Sequence, residues 1–148
     1  MERYRRFLCL NIASVLIIAA PVNAASNSSE ITPYSSSFFQ SYSVYLSRYS
    51  STLFYVCFDV TACGSMLELG VSSIEVQRSP NGSSNWTTTK TYTPDSYSQM
   101  MATNAFSHGG TVLYGGTAGY YYRAYVTLYA KNSSGSAKYF AYTDVLKL

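Results

Sequence analysis

The sequence predicts an all-β fold, an antiparallel sandwich of about seven strands. Three observations carry this. Short runs alternate apolar and polar residues with a period of two. Turn-forming Asn, Gly, Ser and Pro separate those runs at fairly even spacing. Beyond the N-terminal segment no stretch repeats its apolar residues at the 3.6-residue spacing of a helix. Composition agrees. The 16 tyrosines and a charged fraction of only 11% suit pleated surfaces better than helix faces. A closed barrel is the alternative way to pack such strands.

The chain begins with an address. Arg3, Arg5 and Arg6 precede an apolar run from Phe7 to Ala20, closed by Pro21. Val22 and Ala24 place small residues at the positions a signal peptidase reads, so residues 1–24 are expected to be a cleaved secretory signal peptide. The run is shorter than the roughly 20 apolar residues of a spanning helix, and no second long run follows. The mature protein is therefore expected to be secreted, extracellular and not membrane-spanning. Residues 25–37, rich in Ser and Asn, are expected as a flexible N-terminal lead, and residues 38–148 as one sandwich domain.

Residues 38–47 alternate partly and suit a first strand. Residues 53–62 follow after a turn. Phe54, Val56, Phe58, Val60 and Ala62 share one wholly apolar face, so this strand is half-buried and its register is committed. Residues 64–70 are expected as a connection, with Leu67 and Leu69 tucked over the end of the sandwich. Residues 73–78 alternate cleanly, and Asn81-Gly82 signals a tight hairpin to a partner strand at residues 86–92. Residues 100–104 suit a short edge strand. His108-Gly109-Gly110 is expected to turn the chain into another short strand at residues 111–114. Residues 119–130 form the longest β-forming run and are expected as a central strand. Tyr120, Tyr122, Ala124, Val126, Leu128 and Ala130 share its inner face. A hairpin turn at residues 131–135 leads to a last strand at residues 138–147.

Two cysteines, Cys57 and Cys63, lie beyond the signal. Six residues along a strand separate their Cα atoms by roughly 20 Å, whereas a disulfide needs less than about 7 Å. Both are expected as free thiols, with no disulfide between them; a break in the strand or pairing between molecules are the alternatives. They offer no zinc-ligand spacing with the distant His108, so no metal and no cofactor are expected.

The formal charge of +3 falls to about +1 once Glu2 and the three early arginines leave. The remaining Lys and Arg are scattered, which argues against nucleic acid as a partner. His108 and the dispersed acids form no catalytic motif: there is no Gly-x-Ser-x-Gly elbow, and no carboxylate pair is obliged to converge. A secreted hydrolase is the weaker reading.

The sharper candidate is a binding surface. Tyr121, Arg123, Tyr125 and Tyr129, with Thr127 among them, share the outer face of the central strand. Exposed aromatic rows of this kind mark interaction sites. A cell-wall glycan or a surface protein is the expected class of partner. The competing possibilities are that neighbouring side chains cover this face, or that the protein is a structural or assembly subunit of the envelope joined through strand edges.

Strand number and spacing suit an immunoglobulin-like or fibronectin type III sandwich. Residues 122–136, an alternating apolar strand followed by Ala130, Asn132 and Gly135, resemble the penultimate strand and hairpin of fibronectin type III domains. They depart from that pattern at Ala124, where those domains usually carry the tyrosine; here it stands at Tyr122. Residues 58–62, 74–78 and 81–86, with Met66 to Gly70 and residues 122–135, resemble a family of small exported proteins of Gram-positive bacteria with no assigned function. That resemblance implies a fibronectin-like exported domain and no activity.

Overall fold

The computed structural model describes the backbone of Thr32–Pro33 and residues 37–148. The expected signal peptide and most of the expected lead lie outside the described residues. The strands, in chain order, are β1 (Thr32–Pro33), β2 (Phe39–Arg48), β3 (Leu53–Ser79), β4 (Thr87–Tyr92), β5 (Met101–Gly115), β6 (Tyr121–Asn132), β7 (Gly135–Tyr142) and β8 (Leu146–Lys147). A single 3₁₀ turn, Ser98–Met100, precedes β5. Every pairing is antiparallel. The all-β antiparallel architecture matches the sequence-based expectation.

The unexpected element is β3, whose 27 residues run unbroken through the segment expected as a connection. Its first half pairs with β2 on one side and β5 on the other, as at Val44↔Phe58 and Val56↔Val112. Its second half pairs with β4 and β6, as at Ile74↔Tyr92 and Ile74↔Val126. One strand therefore belongs to two half-sheets: β1-β2-β3-β5 and β4-β3-β6-β7, with β8 on the start of β6. The half-sheets face one another. Phe54 at the beginning of β3 packs 5.3 Å from Tyr122, whose cross-strand partner Arg78 is at the end of β3. Tyr42 of β2 lies 4.9 Å from Tyr139 of β7.

The bend is written into the burial pattern. Phe54, Val56, Phe58, Val60 and Ala62 are all buried, as their alternation predicts, and Asp59 is exposed. Buried positions are then odd-numbered at Leu69 and Val71, and even-numbered again at Ile74 and Val76. The second change of phase coincides with a bulge at Ser72, which drops out of register between Val71 and Ser73. The Ser72 hydroxyl donates to the Thr127 carbonyl at 3.3 Å, which compensates part of the broken ladder. Leu69 is fully buried in the corner, while Leu67 is exposed. Gly70 holds φ +153, and a Cβ there would run into the Met100 carbonyl oxygen and the His108 ring. Only glycine fits this corner.

β5 likewise runs through residues expected to turn. Gly109 and Gly110 are strand residues because their neighbours need the space. The Asp59 carboxylate lies over Gly109, where a Cβ would be 2.7 Å from Oδ2, and the Phe58 ring lies over Gly110. Close approach, and not turning, explains this glycine pair. The expected tight hairpin at Asn81-Gly82 is a longer loop between Ser79 and Thr87. Buried Ser79 organises it, its hydroxyl oxygen accepting from the backbone N–H of Asn81 at 3.2 Å and of Gly82 at 3.0 Å. Trp86 stands before β4 and not within it.

The core between the half-sheets joins the β3 residues to Phe39, Met100, Val112, Tyr122, Ala124, Val126, Leu128 and Ala130. The hydroxyl of buried Tyr122 accepts from the Thr117 backbone N–H at 2.7 Å, tying the start of β6 to the chain five residues upstream. Among the described residues no helix is long and apolar enough to cross a membrane.

Two outcomes follow from the packing. Gly70→Ala should lower stability by about 2–4 kcal/mol, because strain and overlap meet at one site. A thermal or urea melt checks this, and a wild-type midpoint contradicts the account of the corner. Tyr92 is 4% exposed, donates to the Leu113 carbonyl at 3.2 Å, and burial pushes its pKa up to about 12. A raised folded value means that its contribution is complete below pH 10 and is lost as pH rises towards 12. Stability should fall by about 2–3 kcal/mol across that window, and Tyr92→Phe should flatten the fall in urea titrations at pH 9 to 12.

Candidate functional site

β6 is the central strand of its half-sheet, with β3 on one side and β7 on the other. Its inner residues Tyr122, Ala124, Val126, Leu128 and Ala130 are buried, and Tyr120 is half-buried at the mouth of the sandwich under the Arg78 guanidinium, 4.5 Å away. The alternation therefore sends Tyr121, Arg123, Tyr125 and Tyr129 to the outer face, where all four are half-buried; Thr127 beside them is buried. The expected face exists, and neighbouring side chains cover part of it.

What covers it is a ladder of rings around a cation. The Arg123 guanidinium lies 4.3 Å from the Trp86 ring centroid and 4.3 Å from that of Tyr142. Trp86 reaches it from the β4 side and Tyr142 from β7. Arg123 Nε donates to Gln77 Oε1 at 2.8 Å, which orients the guanidinium plane. Tyr142 also meets Tyr125 with centroids 4.7 Å apart, and Tyr125 stacks on Phe140 at 5.8 Å with planes 6° apart. The order along the face is Trp86, Arg123, Tyr142, Tyr125, Phe140. A cation over a ring contributes about 0.5–2 kcal/mol depending on solvent access, and each ring pair about 0.5–1.5 kcal/mol beyond the area it buries. These contacts hold the rings in fixed orientations. Phe140 and Tyr142 nevertheless stay 54% and 53% exposed.

The structure thus brings Arg123 and Tyr125 together through Tyr142. Tyr121 and Tyr129 lie outside the ladder. The Tyr121 ring sits against Gly82 and under the Lys147 ammonium, 5.1 Å from its centroid. Tyr129 pairs across the ladder of hydrogen bonds with Lys138. The sequence reading missed Phe140, Tyr142 and Trp86. The first two were accessible: the short turn between Asn132 and Gly135 sets Tyr125 opposite Tyr142 and Thr127 opposite Phe140. Trp86 enters from a loop whose path no periodicity specifies.

The other half-sheet carries a groove of about 610 Å³, with Ser43, Cys57 and Gly109 among its lining and Asp59 and Tyr45 beside them. Burial raises the Cys57 thiol, which the neighbouring Tyr45 hydrogen bond partly opposes. Cys57 is buried and Cys63 exposed, and the two are not bonded to one another. His108 has a structural occupation, its Nε2 lying 2.8 Å from the Gln99 carbonyl oxygen and its ring 5.7 Å from that of Phe58. His108 pairs with inward-facing Val60, and Asp59 with Gly109, so the acid and the imidazole point to opposite faces of the half-sheet.

No protein-family model, no curated protein and no solved structure matches this chain.

Proposed function

We propose that this chain is an exported, non-catalytic interaction module that holds an extracellular or cell-surface ligand on the outer face of β6 and β7. The observation that carries the reading is the cation-and-ring ladder, with two half-exposed rings held in place on the outer face of the sheet. Preoriented aromatic surface binds at low entropic cost. Export rests on the signal-like residues 1–24. A fibronectin type III-like assignment draws support from the two facing half-sheets and from Tyr122, whose hydroxyl reaches back to the Thr117 backbone as a tyrosine corner does. The non-catalytic reading draws support from the opposed directions of His108 and Asp59.

A second reading, a structural or assembly subunit, has one observation in its favour. β5 is an outer strand of 15 residues with no Asp, Glu, Lys or Arg, and it exposes Phe106 and Leu113. Such edges invite pairing with another strand.

Replacing Phe140 and Tyr142 together by Ala should weaken retention on immobilised cell-wall glycans or mucin by about tenfold or more. The rings are exposed enough for the fold to survive, which circular dichroism checks. Retention equal to wild type removes the binding-face reading. Light scattering on the same samples separates the second reading, which requires the wild-type protein to associate.

A further inference from the structure

We propose that Arg123 and its surrounding rings bind a saccharide carrying a carboxylate, an inference that rests on the outer face of β6 and β7 being the binding surface. Three features of the guanidinium point there. Its central carbon lies over both the Trp86 and the Tyr142 ring, 4.3 Å from each centroid. Its Nε is committed to Gln77. Its two Nη nitrogens have no hydrogen-bond partner and no carboxylate partner among the described residues. The described ion pair on this face, Lys131–Glu68, forms at its other end. What is left open is the in-plane fork of Nη donors, the part of arginine that takes a carboxylate in two parallel hydrogen bonds. A half-buried cation without a counterion also gains more from an arriving anion than a fully solvated one.

Neighbouring groups set the direction of the ligand. Glu75 lies beside Tyr125 on the β3 side, with its carboxylate accepting from the Thr88 hydroxyl at 3.4 Å. An anionic ligand is repelled on that side. On the β7 side it meets exposed Tyr142 and Phe140, and Lys138 further along. The body of the ligand therefore extends from Arg123 over those rings.

The exposed rings favour a saccharide over a peptide. β3 and β6 are paired on both sides here, so an added strand could join only the outer edge of β7, one strand away from Arg123. The face offers the exposed ring surfaces of Phe140 and Tyr142. A pyranose can lay its C–H face on Tyr142 and turn its carboxylate into the Arg123 fork. Sialic acids of host glycans and uronic acids of wall polymers share this chemistry.

Calorimetric titration of the full chain with 3′-sialyllactose, trigalacturonic acid, lactose and pentaglutamate tests the proposal and distinguishes the two sources. One or both acidic sugars should bind at least about tenfold more tightly than lactose. Arg123→Gln should abolish that preference, and Arg123→Lys should restore part of it, since the charge returns without the fork. Phe140→Ala should weaken acidic and neutral sugars alike. Lactose bound as tightly as the acidic sugars overturns the carboxylate inference and leaves the ring platform standing. Pentaglutamate bound as tightly as either acidic sugar overturns the saccharide assignment. No binding of either acidic sugar at about 10 mM, where a millimolar Kd is readable, overturns the proposal; retention on glycans in the Phe140 and Tyr142 experiment separately decides the platform.

Discussion

One strand is shared by both halves of this sandwich, and the geometry of the rest depends on where it bends. β3 supplies the central strand of one half-sheet, turns through the Met66 to Gly70 corner, and becomes a central strand of the other. Neither half-sheet can shift against the other without unpairing it. The bend needs a residue without Cβ at Gly70, beside the Met100 carbonyl, and an extra residue at Ser72 to restore the inward phase for Ile74 and Val76. Hydrophobic burial drives the closure, but those two local features decide that closure brings Phe54 onto Tyr122.

The candidate surface inherits its order from that arrangement. Because β3 and β7 flank β6, the outer residues Tyr125, Thr127, Tyr129 and Lys131 each have a cross-strand neighbour on both sides, and Arg123 has Gln77 on β3. Arg123 is held by Gln77 on β3 and by Tyr142 on β7, and Tyr125 stacks between β7 rings. The same inner packing that buries Val126 and Leu128 thus fixes the direction of a cation and its rings on the solvent side. Stability and the proposed recognition surface are coupled through one strand, with the inner positions specifying the fold and the outer ones forming the ring ladder.

Much of this was legible in the sequence, and the failures have physical causes. The inner faces of β3 and β6 followed from alternation alone, because burial on one side enforces a period of two. The corner of β3 was not legible. Glycines, short polar residues and Glu68 read as a loop, and only tertiary pairing on both edges keeps such a segment extended. Gly109-Gly110 misled in the same way: the residues that explain them, Asp59 and Phe58, lie some 50 positions earlier in the chain. For the outer face, Arg123 and Tyr125 were found from β6 itself. Phe140 and Tyr142 required carrying the register through the Asn132 to Gly135 turn, and Trp86 required the path of a loop fixed by Ser79.

On the proposed reading, ligands meet the molecule on the ring ladder and not in the Asp59 groove or along a strand edge. Amide and side-chain N–H chemical shifts, recorded during titration with a glycan mixture from cell surfaces, address it directly. The largest changes are expected on the Trp86 indole N–H, the Arg123 Nε–H and the amides of Phe140 and Tyr142. Changes confined to Ser43, Asp59 and Gly109, or to the amides of β5, would contradict it.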